Sequence, residues 1–314
     1  MKRYFAPLEG ITGYIFRNAY EHYYGGIDKY FAPFISPAEN CPMNPKERRD
    51  IIPENNQGIY IVPQILARRS DHFLNAVNML MDMGYKEFNL NLGCPSGTVC
   101  SKRKGAGFLT DTKELEVFFE TVYDFAAMNN IDISVKTRVG RYSPEEWEAL
   151  LDIYNRYPIS ELIIHPRLTK DYYNGFPRLE QFEYAVCNSK NPVVYNGDLF
   201  SVDKIEDVLT AYGHTDIVDG IMLGRGLLYN PELLLQYDGK DGDSFDTKNF
   251  LRFHDEIYHA YREIMSPDIN VLHHMKQLWI YWRSSFPEKD KITKQIIKTK
   301  RCSEYELLVK QVVK

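Results

Sequence analysis

A chain of 314 residues, 44% hydrophobic and 26% charged, can bury one large core, such as a barrel of about 250 residues, and still carry a smaller appendage. No run approaches the roughly 18 uncharged apolar residues of a membrane span, and Pro7 and Glu9 interrupt the start before any signal-peptide core, so a soluble, cytoplasmic protein is expected. Five scattered cysteines (Cys41, Cys94, Cys100, Cys187 and Cys302) exclude a disulfide framework or a paired zinc ribbon, which leaves reduced thiols.

β-Rich runs recur along the chain: YFAPL from Tyr4, KYFAPFI from Lys29, IYIVPQIL from Ile59, KEFNLNL from Lys86, ISVKTR from Ile133, ELIIHPR from Glu161, PVVYNGD from Pro192 and GIMLGRG from Gly220. Between most of them apolar residues take helical spacing, as in Phe73, Val77, Leu80 and Met81, or Leu115, Phe118, Phe119 and Val122. Eight strand-then-helix units predict a parallel sheet, either a closed barrel or a doubly wound open sheet. No strand runs into a GxGxxG turn, which favours the (β/α)₈ TIM barrel, over residues 1–240. A Gly- and Asp-rich stretch, DGKDGDSFDT, follows from Asp238, after which Phe250, Phe253, Ile257, Tyr261 and Ile264 predict a small all-helical domain over residues 247–314.

The net charge of −5 argues against a nucleic-acid partner until it is divided. Residues 247–314 carry 13 Lys and Arg against 8 Asp and Glu, net +5, which leaves −10 on residues 1–246. Within the basic tail, Lys289, Lys291, Lys294, Lys298, Lys300 and Arg301 suit either an RNA contact or a solvated helix face, and Trp279, Tyr281 and Trp282 read as core.

Barrel enzymes place their chemistry at the C-terminal ends of the strands, where this chain has Pro7, Gln64, Asn91, Cys94, Lys136, Arg138, His165, Arg167, Asn196, Gly224 and Arg225. Asn196-Gly197-Asp198 and Gly224-Arg225-Gly226 follow consecutive strands, so they read as a phosphate-binding pair or as plain turns. Lys136 and Arg138 share one side of their strand by period 2; two cations facing the core call for a bound anion, and a surface lysine is the alternative. Lys136 in the barrel mouth suits the negative charge of a reduced flavin. Cys94 leaves its strand beside Gly93 and Pro95, ahead of Lys102, Arg103 and Lys104, a setting for a tuned thiol or for a small packed residue. His165 reads as a hydrogen-bond donor to a flavin or base, or as a core histidine. Cys100 reads as incidental, and no metal site is expected.

APLEGIT at 6–12, PQI at 63, NLGCPSGTVCSKRKGAG at 91–107, VKTR at 135, HPR at 165, NGD at 196 and LGRG at 223 resemble, in this order, the motifs of the tRNA-dihydrouridine synthase family. The resemblance implies FMN held by Pro7, Leu8, Glu9, Gln64, Lys136, His165, Asn196, Gly197, Asp198, Gly224 and Arg225. It also implies NADPH as the reductant, tRNA as the partner, Cys94 as the proton donor and Asn91 as a substrate contact. Arg138, Arg167, Lys102 and Arg103 join Asn91 as expected substrate contacts, and no obligate protein partner is expected. Two positions depart from the family pattern: Glu9 stands where a small residue is common, and HPRLTKDYYNG replaces an HxRT run, which leaves the role of Arg167 open. The competing readings are an FMN barrel acting on a free pyrimidine and a barrel that only binds RNA.

Overall fold

All eight β-rich runs form strands in the computed structural model, which describes residues 1–240, 242 and 244–314. Two residues of the expected linker, Asp241 and Asp243, lie outside the described residues. The strands are β1 (Lys2–Phe5), β2 (Lys29–Phe31), β3 (Ile61–Val62 and Gln64–Ile65), β4 (Glu87–Leu92), β5 (Asp132–Arg138), β6 (Leu162–His165), β7 (Val193–Asn196) and β8 (Val218–Leu223). They pair in parallel in one sheet, whose order runs from the first half of β3 through β2, β1, β8, β7, β6, β5 and β4 to the second half of β3.

The two ends of that order are separated in the chain by Pro63 alone, which has no N–H for a ladder. Its carbonyl still accepts from Asn89 N at 2.9 Å, while Val62 O accepts from Ala32 N at 3.0 Å. One broken strand therefore bridges both neighbours, and the sheet closes into the expected barrel.

Helices follow the strands: α1 (Tyr14–Tyr23), α2 (Pro45–Ile51), α3 (Ser70–Asp82), α4 (Gly97–Cys100), α5 (Thr112–Asn129), α6 (Glu146–Tyr154), α7 (Leu179–Asn188) and α8 (Val202–Tyr212). Then come α9 (Arg225–Tyr229), α10 (Leu233–Tyr237), α11 (Thr247–Ile264), α12 (Asp268–Trp282), α13 (Asp290–Lys298) and α14 (Cys302–Val312). The chain divides into two compact units. The first holds Met1–Pro7, Asp28–Asp198 and Asp207–Leu223; the second holds Leu8–Ile27, Leu199–Glu206 and Gly224–Lys314.

In the first unit the helical spacing buries one face of each helix. Phe73, Val77 and Leu80 of α3 and Leu115, Phe118, Phe119 and Val122 of α5 are all buried, and Phe73 meets Phe118 edge-on at 5.5 Å. Tyr4, Ala6, Phe31, Val62, Ile163, Val194 and Met222 form an apolar cluster from six of the strands. Near the N-terminal ends of the strands, Lys29 donates to Glu87 at 2.7 Å and Glu161 at 2.9 Å, with Tyr60 on Glu87 and Tyr4 on Glu161. Removing one partner of such a cluster leaves buried carboxylates uncompensated. Lys29→Ala is expected to cost about 3–5 kcal/mol, read as a fall in the urea unfolding midpoint at unchanged slope.

In the second unit, α1 packs on α11 through Phe16 and Phe253, edge to face at 5.6 Å. Asp246 caps α11 by accepting from Lys248 N and Asn249 N. Trp279 and Trp282 are fully buried and act in packing. The Trp279 indole donates to Tyr305 Oη at 2.9 Å, so that hydroxyl donates in turn to His254 Nε2 at 2.6 Å. His254 therefore carries its proton on Nδ1, toward Asp255 at 2.8 Å, and burial pulls its pKa down. Among the described residues no helix is long and apolar enough to cross a membrane.

Candidate active site

Period 2 along β4 and β5 sets Asn89 and Asn91, and Ser134, Lys136 and Arg138, on common sides. Their side chains make a continuous chain of hydrogen bonds with Gln64 of β3. Ser134 Oγ accepts from Asn89 Nδ2 at 2.9 Å, Asn89 Oδ1 from Gln64 Nε2 at 2.8 Å, and Gln64 Oε1 from Asn91 Nδ2 at 2.7 Å. Asn91 Oδ1 then accepts from the backbone N–H groups of Gly93 (3.0 Å) and Cys94 (2.9 Å). Asn91 thus fixes the turn that carries Cys94, and one Nδ2 hydrogen remains for a ligand. Ser134 closes the chain; its position two residues before Lys136 is the sequence signal for it.

The loop after Cys94 folds back on it. Ala106 N donates to Cys94 O at 3.1 Å, and the Cys100 thiol contacts the same oxygen at 3.5 Å. Gly105 takes a φ of +56°, and a Cβ there would stand 2.9 Å from Cys94 O and 3.1 Å from Cys94 Cβ. Gly105→Ala is expected to lower stability by about 1 kcal/mol or more and to speed peptide-resolved alkylation of Cys94. Labelling at the wild-type rate would show that the turn tolerates the methyl group.

Cys94 is half-buried, and burial pushes its thiol up from the ordinary value, while the Ser96 N–H and the charges of Arg138 and Lys136 oppose this in part. The thiol is therefore protonated at neutral pH. Of the basic residues of its loop, Lys102 is exposed, Arg103 pairs with Asp111 at 3.4 Å, and Lys104 donates to Ser36 Oγ and Pro37 O.

Lys136 is partly buried, and its Nζ donates to Asn196 Oδ1 at 2.7 Å, while Asn196 Nδ2 donates to Met222 O. Dense packing, with Arg138 as a second cation nearby, lowers the Lys136 pKa to about 7. Arg138 is fully buried, and the same desolvation lowers it to about 10. Its guanidinium donates to Gly93 O (3.0 Å), Leu168 O (2.8 Å) and Tyr172 O (2.7 Å), so it joins the cysteine turn to the loop after β6.

Arg167 is fully buried and forms a two-armed pair with Asp198; it also donates to Gly175 O (2.7 Å) and to His165 Nε2 (3.1 Å). Guanidinium groups only donate, so His165 accepts at Nε2 and presents Nδ1–H as its donor. Gly197 sits close to this group: a Cβ there would meet Pro177, Tyr195 and His165 at 3.3–3.5 Å.

The first unit thus brings together Gln64, Asn91, Cys94, Lys136, Arg138, His165, Arg167, Asn196, Gly197 and Asp198, with Pro7 two residues past β1. Leu8, Glu9, Gly224 and Arg225 belong to the second unit. There Leu8 N donates to Thr12 Oγ1 at 2.8 Å, Glu9 is exposed, Gly224 precedes α9, and the Arg225 guanidinium lies 5.2 Å from the Phe200 ring. Among the described residues no group of three or more His, Cys, Asp or Glu is placed to hold a metal ion.

The family model "Dihydrouridine synthase (Dus)" matches residues 4–312. The "Probable tRNA-dihydrouridine synthase" of Staphylococcus epidermidis is 26% identical over 263 residues, covering 82% of this chain and 77% of its own. The "Probable tRNA-dihydrouridine synthase 2" of Bacillus subtilis is 25% identical over 265 residues, covering 82% and 78%. Among solved structures, N-(5'-phosphoribosyl)anthranilate isomerase from Pyrococcus furiosus aligns with a TM-score of 0.44 at 14% identity, over 76% of this chain and 98% of its own.

Proposed function

This chain belongs to the dihydrouridine synthase family, and from that premise we propose that it reduces the C5–C6 double bond of uridines in tRNA, with bound FMN, NADPH as reductant and Cys94 as the proton donor. The observation that carries the reading is the cysteine turn itself. Asn91 holds its backbone, Arg138 holds Gly93 O, and burial keeps the thiol protonated.

The donor set fits a flavin. Lys136 Nζ and the remaining N–H groups of Gln64 and Asn91 offer donors, and Asp198, the carboxylate of the group, is paired with Arg167. Such a set suits the carbonyl and nitrogen acceptors of an isoalloxazine and its negative charge when reduced. In this reading Gln64, Lys136, His165 and Asn196 hold the ring, and Gly197 and Asp198, with Pro7, Leu8, Glu9, Gly224 and Arg225, complete the cofactor contacts. The chemistry that the flavin supplies when bound is hydride delivery to C6 of the uracil.

The protein's own residues then have distinct tasks. Cys94 carries the proton that C5 requires, and a thiol near or above its free pKa of about 8.5 retains it at neutral pH. Asn91 sets the position of Cys94 and offers its free N–H to the base. Arg138 and Arg167 position the loops that form the mouth, and Lys102 and Arg103 present exposed charge to RNA.

A uridine must leave its stack to reach this site, so the RNA around it has to be held. We assign that grip to residues 247–314, with residues 1–240 as the catalytic domain. Lys291, Lys294 and Lys298 share one face of α13 by their spacing of three and four, and with Lys300 and Arg301 they are exposed.

The purified protein is expected to show a yellow flavin spectrum and to convert transcribed tRNA in preference to free uridine, with tRNA affinity falling steeply with salt. A colourless protein that rejects added FMN would end this reading, and equal action on free uridine would redirect it to a pyrimidine substrate.

A further inference from the structure

Beside the cysteine turn lies a cavity of about 310 Å³, lined by Pro95, Ser101, Arg141, Tyr142, Lys170 and Tyr172 among others. Resting on the assignment of RNA as the substrate, we propose that this cavity takes a nucleotide next to the target uridine in the same strand. Its phosphate lies against Arg141 and Lys170, and its base or sugar against Tyr142 and Tyr172.

Four features of the cavity lead there. Arg141 and Lys170 carry no side-chain ion pair or hydrogen bond among the described residues; the Arg141 guanidinium only overlies the Tyr142 ring at 5.0 Å. Two carboxylates next to them have other partners. Glu146 accepts from the backbone N–H groups of Arg141, Tyr142 and Ser143, and Asp171 accepts from Leu168 N and pairs with Arg178. Arg141 and Lys170 are therefore left to reach an incoming anion.

The cavity is also built rather than loose. Thr169 N donates to Gly140 O at 3.0 Å and Lys170 N to Arg141 O at 3.2 Å, which zips the loop after β5 to the loop after β6. Arg138 clamps Leu168 O and Tyr172 O, and so braces Tyr172 at its positive φ of 51°. The same guanidinium holds Gly93 O, so cavity and cysteine turn share one fastening.

The aromatic rings supply the last feature. Tyr142 and Tyr172 are 56% and 49% exposed, so both rings are accessible to a partner. Cations interleaved with exposed aromatics fit a splayed RNA strand, in which backbone phosphates meet Lys or Arg and unstacked bases meet rings. A pocket of this size is at the lower end of small-ligand sites, enough for one nucleotide.

The test uses the full chain with transcribed tRNA across a salt series. The variants are Arg141→Ala combined with Lys170→Ala, the charge-keeping Arg141→Lys, and the pair Tyr142→Phe and Tyr142→Ala. The double alanine variant should raise KM for tRNA several-fold at low salt with kcat held, and flatten the slope of log affinity against log salt by about 1.4. Arg141→Lys and Tyr142→Phe should stay near wild type, whereas Tyr142→Ala should raise KM. An unchanged flavin spectrum confirms folding of each variant. If the wild type forms dihydrouridine but the variants keep its KM and salt slope, the subsite is overturned alone; a rise in KM for NADPH only would overturn it in favour of the reductant. A wild-type protein without affinity for tRNA overturns the subsite together with the assignment of RNA as substrate.

Discussion

Cys94→Ala is expected to cut dihydrouridine formation by about 10²- to 10⁴-fold while the protein keeps its flavin and still oxidises NADPH. The side chain is half-buried and small, and the turn around it is held by backbone contacts to Asn91, Ala106 and Arg138. Losing one sulfur therefore removes the proton donor and leaves the site standing. Cys94→Ser offers a sharper comparison, since a hydroxyl of far higher pKa occupies the same place and should rescue little. The wild-type pH profile follows from the same group. Burial raises the thiol, so with FMN held at saturation turnover should hold through neutral pH and fall only as pH passes above the ordinary thiol value of about 8.5. A fall that begins below pH 7 would mean that the group which titrates is not this thiol.

Lys136→Met is expected to weaken flavin retention by about 10- to 100-fold, the scale of a hydrogen bond to a charged group. It should also raise the stability of the flavin-free protein. The direction comes from the Lys136 pKa of about 7, set by burial first and by Arg138 second. Between that value and the unfolded value near 10.5 the unfolded chain holds the extra proton, so this group makes the flavin-free fold more stable as pH rises through the window. Below pH 7 the buried charge costs the fold most, and there methionine gains most over lysine. A ligand with negative charge or acceptor atoms against Nζ favours the charged amine. Flavin affinity in the wild type should therefore fall as pH rises from 7 to 9, and Lys136→Met should lose that dependence. Titration of stripped protein with FMN at several pH values, alongside thermal unfolding of the stripped forms, reads both effects. Equal FMN affinity in the two proteins would remove Lys136 from the cofactor site.

The barrel was legible because each strand is a short β-rich run that ends in chemically distinctive residues, and period 2 correctly placed Lys136 and Arg138 on a common side. The break at Pro63 was visible only as a proline within the third run; that it forms the seam between both ends of the sheet depends on pairing with residues far away in sequence. Arg138 and Arg167 show a second limit. Lys136 and Arg138 on one side of their strand called for a bound anion, yet the Arg138 guanidinium closes on the carbonyls of Gly93, Leu168 and Tyr172, and Arg167 closes on those of Asn174 and Gly175 and on Asp198. Backbone carbonyls carry no residue identity, so a sequence does not display them as partners. The HPRLTKDYYNG departure, which left Arg167 open, is the loop that four of those five carbonyls belong to. The internal bonds of Gln64 and Asn91 were likewise hidden, although their strand positions were read directly.

Purified, FMN-loaded protein incubated with NADPH and transcribed tRNA, followed by nucleoside digestion and mass spectrometry, addresses the central claim most directly. Wild-type protein should convert uridine at a defined tRNA position into a nucleoside heavier by two hydrogens, and Cys94→Ala should leave that uridine intact. Unaltered uridine with the wild type, or the same yield of the reduced nucleoside from Cys94→Ala, would contradict it.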